Sequence, residues 1–237
     1  NKEVLAVSNM CLSLTRSVAS FVSLICSSNG RIIHMTRILL IRHGENNYTQ
    51  TGKLAGWTKG VHLNEIGRLQ ATTLADQLTS YPIKYVYSSP LVRALETARP
   101  LAAAKKLNVR KCTQIGEVRY GQWQGKSLKV LRRRKLWNEI QNRPATASFP
   151  GGESIRHAQI RAVGAVEKMI SQHPKDCIVL VSHADVIKMI VAHYLGLALD
   201  LYQRIMINTA STSELDISYN GVKVIRINQT TKISVTK

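Results

Sequence analysis

The sequence predicts an α/β fold of three layers, α/β/α, around a mostly parallel central sheet, and three observations point to it. From Met35 onward, β-forming runs alternate with longer amphipathic stretches, the order expected of crossover units in a parallel sheet. Two of those runs, Ile38–Ile41 and Cys177–Val181, are continuously apolar, as strands covered on both faces are. Each run leads within two residues to a histidine, His43 after Arg42 and His183 after Ser182. That places two imidazoles at the carboxyl ends of strands, where open α/β sheets bind ligands.

Taken in order, Ile38–Arg42 is the first strand. A loop containing Gly56-Trp57 leads to a helix from about Asn64 to Leu78, with Asn64 as cap and Ile66, Leu69, Leu74 and Leu78 expected inward. Strand Tyr85–Ser88 follows. Ser89 is a natural N-cap and Pro90 suits a first helical position, so a helix is expected over Pro90–Lys106. Arg93 then falls in or just past its first turn, where free backbone N–H groups favour an anion. Val109–Cys112 reads as a short strand. Residues 117 to 152 form a cap of helix and loop that opens on Gly116-Glu-Val-Arg-Tyr-Gly-Gln-Trp-Gln-Gly125, in which glycines and aromatics surround one carboxylate. The turn Phe149-Pro-Gly-Gly-Glu-Ser154 precedes a helix from Glu153 to about Gln172, which feeds strand Ile178–Ser182. Helix Ala184–Leu195 stops at Gly196, and Asn220-Gly221 joins Ser213–Ser218 to Val222–Ile227 as an antiparallel hairpin.

With 237 residues, 44% of them hydrophobic and 20% charged, the chain suits one α/β domain. Its net charge of +19 favours anionic substrates. No nucleic-acid motif accompanies that charge, so neither a specific nucleic acid nor a membrane is expected as partner. The densest cluster is Lys126, Lys129, Arg132, Arg133, Arg134 and Lys135, expected on one helix with Val130, Leu131 and Trp137. It reads either as a solvated face or as a rim that attracts phosphorylated substrates. Cys11, Cys26, Cys112 and Cys177 show no CxxC and no zinc spacing, which argues against a disulfide framework and favours the cytoplasm. The domain is expected over residues 35–237. Residues 1–34 are expected to be a disordered or non-native extension, because Val18–Cys26 is too short to span a membrane and meets a secretory signal only loosely.

A neutral imidazole is a competent nucleophile near neutrality, and guanidinium forks match phosphate oxygens. Two histidines and two arginines delivered to one crevice therefore suit an anion that is attacked. In order, Arg42-His-Gly-Glu45, Gly56-Trp57, Leu63-Asn-Glu-Ile-Gly67, Ser88-Ser-Pro-Leu-Val-Arg93, Glu117-Val-Arg-Tyr-Gly121, Pro150-Gly-Gly-Glu-Ser154 and Ser182-His-Ala-Asp-Val-Ile187 resemble the histidine phosphatase superfamily, in its phosphoglycerate-mutase-like branch. The resemblance covers about residues 36–218.

It implies a phosphoglycerate-mutase-like fold and a phosphomonoester hydrolase acting through a phosphohistidine on His43. By the same resemblance Arg42, Arg93 and His183 hold the phosphoryl group, Glu117 donates the proton, and Gly56 and Tyr120 meet the substrate, with no metal and no cofactor. Asp185 is the rival acid. It lies one residue further from its histidine than in the branch that uses such an Asp, an offset of about 100 degrees near a helix start. A phosphoglycerate-mutase-like phosphomutase is the alternative activity. Thr49, Ala55 and Asp185 depart from the mutase pattern, however, and Pro144-Ala145 falls near where its cap carries paired arginines, leaving Arg143 alone. These departures favour hydrolysis. A non-catalytic anion-binding module is a second alternative, against which the intact set of His43, His183, Arg42, Arg93 and Glu117 speaks. The expected partner is a phosphorylated small molecule, and a homodimer is left open.

Overall fold

Ile38, Leu39, Leu40 and Ile41 are all fully buried, and they alternate between two cores. Successive side chains of a strand point to opposite faces, so this run can be apolar throughout only if both faces of the sheet are covered. In the computed structural model, which describes residues 35–230, it lies in strand β1, Met35–Arg42. The expectations for residues 1–34 lie outside the described residues.

The chain continues through the short helix α1 (Asn47–Gln50), α2 (Glu65–Gln77), β2 (Ile83–Ser88), α3 (Val92–Ala104) and β3 (Val109–Lys111). The cap holds α4 (Leu128–Leu131) and α5 (Lys135–Asn142). Then come α6 (Ile155–Gln172), β4 (Cys177–Ser182), α7 (Ala184–Tyr194), β5 (Thr212–Ser218) and β6 (Gly221–Gln229). The sheet order is β3-β2-β4-β1-β5-β6. Pairings among β1, β2, β3 and β4 are parallel, while β5 runs antiparallel to both β1 and β6. The predicted three-layer architecture is therefore present. Leu39, Ile41, Val179 and Val181 pack against α2 and α3. Ile38, Leu40, Ile178 and Leu180 pack against α6, α7 and the cap. Cys177 is buried in the first of these cores as a small hydrophobe. Among the described residues no helix is long and apolar enough to cross a membrane.

Three sequence expectations are corrected. Ile66 and Leu69 are 46% and 44% exposed, not inward. The buried stripe of α2 is Gly67, Ala71, Leu74 and Ala75, because the helix is set by a close approach of backbones. A Cβ on Gly67 would stand 2.0 Å from the carbonyl oxygen of Glu45. Helix α3 begins at Val92, preceded by Leu91 in extended geometry, rather than at Pro90 after a Ser89 cap. Ser89 directly follows β2 and is tied to β4, its N–H donating to Val181 O at 2.9 Å. The basic cluster is not on one helix but is broken at Arg132–Arg134 between α4 and α5. Leu131 and Ile140 are both buried. Nine positions apart they would face opposite sides of a continuous helix at ~100° per residue, so the chain must turn between them to bury both.

The chain leaves β1 toward β2, on one side of β4, and leaves β4 toward β5, on the far side of β1. The crevice beyond the carboxyl ends of these two strands is thus the topological switch point of the sheet.

Candidate active site

Arg42 is opposite Ser182 in the β1–β4 register, so the next residues, His43 and His183, emerge together into that crevice. Both are buried, with ring centroids 5.2 Å apart at 61°. His43 Nδ1 lies 2.8 Å from its neighbour's carbonyl, Gly44 O. A carbonyl can only accept, so Nδ1 carries the proton and Nε2 keeps the lone pair. That lone pair accepts from Arg93 Nε at 3.2 Å. Burial, then the charges of Arg93 and Arg42, hold His43 well below the usual imidazole range, so the ring is neutral near neutral pH. His183 is arranged the other way round. Its Nδ1 accepts from Arg93 Nη2 at 3.2 Å and its Nε2–H donates to Ser89 Oγ at 2.8 Å. Burial foremost, and then Arg93, likewise push its pKa well down.

Arg93 is the second residue of α3 and is 1% exposed. Besides both imidazoles it donates through Nη2 to Gly56 O at 2.9 Å. Arg42 donates through Nη1 to Ile207 O at 2.7 Å. Asn46 caps α1 by accepting from Tyr48 N and Thr49 N at 2.9 and 3.1 Å. Each of these three side chains retains a buried nitrogen with no partner among the described residues: Arg93 Nη1, Arg42 Nε and Asn46 Nδ2. All three residues line one cavity of ≈ 280 Å³ with His43, Glu117, Tyr120 and Asp185. A buried unpaired donor costs about 1–3 kcal/mol. Three of them, two on guanidinium groups and one on an amide, suit a tetrahedral anion, whose oxygens would satisfy them.

Glu117 faces the same space, with Oε2 3.7 Å from His183 Nδ1. Burial, and secondarily the Asp185 carboxylate, raise its pKa to about 7, against the opposing pull of Arg93 and a hydrogen bond from Val118 N. Tyr120 donates from its hydroxyl to Asp185 Oδ2 at 3.0 Å. The loop that carries Glu117 is clamped from behind. Trp57 Nε1 and Arg161 Nη2 donate to Glu117 O at 2.7 and 3.1 Å, and Arg161 Nη1 donates to Gly116 O at 2.9 Å. Arg161 is in turn paired with Glu153 at 2.6 Å, and Glu153 accepts from Arg119 N at 2.8 Å.

Arg42, His43, Arg93, Glu117 and Tyr120, expected at the site from the sequence, therefore line one cavity, and His183 meets Arg93 and Glu117 without lining it. Gly56 does not line it and stands behind Arg93 as a carbonyl acceptor. Asp185 does line it, despite its offset from His183. Arg143 is exposed and is not among the lining residues. Sequence reasoning missed Asn46, the contact of Ser89 with His183, and the Arg161–Glu153 clamp. The only signals were an Asn directly after Arg42-His-Gly-Glu45 and a glutamate in the turn before α6.

The sequence model of the histidine phosphatase superfamily, branch 1, matches residues 38–230. The chain belongs to that superfamily. This histidine phosphatase is 29% identical over 201 residues to phosphoserine phosphatase 1 of Hydrogenobacter thermophilus, covering 83% of this chain and 93% of that protein. It is 32% identical over 163 residues to phosphoglycerate mutase-like protein 4 of Arabidopsis thaliana, covering 66% and 70%. Among solved structures it resembles a mycobacterial glucosyl-3-phosphoglycerate phosphatase, with TM-score 0.75 and 25% identity over 82% of this chain and 99% of that one. It also resembles the phosphoserine phosphatase of Entamoeba histolytica in complex with 3-phosphoglyceric acid, with TM-score 0.76 and 25% identity over 82% and 98%. The histidine phosphatase is thus an enzyme of the phosphatase class.

Proposed function

We propose that this histidine phosphatase hydrolyses phosphomonoesters of small molecules through a phosphohistidine on His43. The observation that carries the reading is the His43 ring: Gly44 O fixes its tautomer, Nε2 keeps a lone pair that meets Arg93 Nε, and both residues line the cavity. Substrate phosphate exchanges for that arginine contact, and its oxygens take the free N–H groups of Arg42, Arg93 and Asn46. The Nε2 lone pair then forms a bond to phosphorus as the ester P–O bond breaks. Glu117, protonated below about pH 7, gives its proton to the leaving alkoxide. In the second step water attacks phosphorus, Glu117 takes a proton from it, and the P–N bond returns its electrons to His43. Inorganic phosphate leaves. Arg93 holds the transferring group in both steps, His183 positions Arg93 through its Nδ1, and Gly56 and Ser89 hold those two in place.

A phosphomutase is the second reading, favoured by the similarity to phosphoglycerate mutase-like protein 4. Hydrolysis ranks above it because a mutase must grip both ends of its substrate, and Arg143 does not line the cavity. Rapid quench with a 32P-labelled ester tests the proposal. An acid-labile, base-stable phosphoenzyme is expected, absent in His43→Ala. Wild-type turnover in that variant would end the proposal, and 2-phosphoglycerate formed from 3-phosphoglycerate with little phosphate release would make the enzyme a mutase.

A further inference from the structure

The cavity that holds His43 has an aromatic wall. Trp137 stacks on Trp123 with 6.1 Å between centroids and 18° between planes. Phe149 stands edge-on to Trp123 at 5.5 Å and to Tyr120 at 5.0 Å. Four rings thus connect the cap to Tyr120, which is bonded to Asp185 beside the acid. Trp123, Phe149 and Tyr120 are buried, Trp137 is half-buried, and the half-buried Leu54 and Leu128 line the same cavity. Rings packed against one another in this way are set before a ligand arrives, which limits the ordering cost of binding.

Charge is placed differently. Arg42 and Arg93 belong to the phosphate end. Of the two lysines that line the cavity, Lys188 lies 3.5 Å from Asp185 Oδ1 and donates to Gln203 Oε1 at 2.9 Å, so its charge is already answered. Lys53 is exposed. The carboxyl groups of Glu117 and Asp185 face the same space. A leaving group with its own carboxylate would meet no unpaired buried cation beyond the phosphate end, and two acidic groups. A flat apolar one would meet matching surface.

We propose that the leaving group this enzyme selects is a flat apolar alcohol of the arylmethyl or aryl class, seated against Trp137, Leu128 and Leu54, and not a small carboxylic acid. This rests on the phosphatase reading above and names its substrate class. The cavity volume of ≈ 280 Å³ lies just under the ~300–1,000 Å³ of drug-sized sites and suits a phosphoryl group with one ring. The preference differs from the phosphoserine named for the Hydrogenobacter thermophilus relative.

Two arms test it. In the first, turnover of benzyl phosphate is compared with that of O-phosphoserine and 3-phosphoglycerate, all alkyl esters that need the same proton on leaving. In the second, calorimetry compares binding of benzylphosphonate and phosphonoacetate, whose C–P bonds the enzyme does not cleave. The benzyl ligand should lead by about tenfold or more in both arms, as expected for covering one ring. Trp137→Ala should erode that lead by lowering benzyl phosphate turnover several-fold more than phosphoserine turnover, and Leu128→Lys should shift preference toward the carboxylates. Equal or better use of the carboxylate ligands by the wild-type enzyme would overturn the proposal while leaving the phosphatase reading intact. If no ester turns over yet benzylphosphonate binds preferentially, the phosphatase reading falls and the pocket preference stands.

Discussion

Arg93 Nε donates to His43 Nε2 across 3.2 Å, so in the resting enzyme a buried cation caps the lone pair assigned as nucleophile. A cation that close disfavours protonation of the imidazole and adds to the effect of burial. The same guanidinium reaches His183 and Gly56. One planar group therefore sets the spacing of both histidines.

A lysine cannot make those contacts at once, because it offers a point charge in place of a rigid fork. Arg93→Lys should lose about 10²–10³-fold in kcat/KM, the scale of removing one aimed donor from a charge-stabilising site, and nearly as much as Arg93→Ala. Steady-state kinetics on any accepted ester measures this. A lysine variant as active as wild type would remove Arg93 from the site.

Glu117, raised to about 7, is a proton donor only while protonated. For alkyl esters kcat/KM should be level below that pH and fall about tenfold per unit above it. The neutral forms of His43 and His183 persist below the usual imidazole range because their pKa values are depressed, which moves the acid limb down. Glu117→Gln should remove the alkaline limb and lower the plateau by about 10²–10⁴-fold. If the limb persists in that variant, the acid is elsewhere, with Asp185 the first candidate.

Gly67 brings α2 against the catalytic loop, where an added Cβ would meet Glu45 O at 2.0 Å. Gly67→Ala should therefore destabilise the fold by about 1–3 kcal/mol, the cost of overpacking. That corresponds to a Tm lower by about 2–12 °C. Turnover should drop as well, since Glu45 follows His43 and Gly44. Calorimetric unfolding checks the first part. An unchanged Tm would mean that the close approach relaxes at no cost.

Arg132, Arg133 and Arg134 are exposed at the turn between α4 and α5, on the cap whose Leu128 and Trp137 line the cavity. Reversing these charges should lower kcat/KM through slower capture while leaving the chemical step unchanged. The difference should fade with salt, as the Debye length drops from about 10 Å at 0.1 M to about 3 Å at 1 M. A salt-independent difference would return the cluster to a plain solvated face.

Features whose physics is local were legible in the chain before it folds. Continuous apolar runs mark buried strands, so the positions of His43 and His183 at strand ends could be read directly. Asn64 as cap of α2, Gly196 closing α7 and the hairpin of β5 and β6 depend on neighbours a few residues away, and each is present, although the hairpin loop is Tyr219-Asn220 and Gly221 already pairs with Ser218. The features that were not legible involve partners far apart in the chain. Ser89 meets His183 across 94 residues, and Trp57 meets Glu117 across 60. No periodicity encodes such contacts. The face α2 buries was decided by a backbone approach at Gly67, which overrode the apolar character of Ile66 and Leu69. The turn in the cap arose because Leu131 and Ile140 both had to be buried. The protonation of Glu117 and of the two histidines likewise followed from burial and from charges delivered by other segments. A residue's type sets the range over which it titrates, but only its folded neighbours set where in that range it lies.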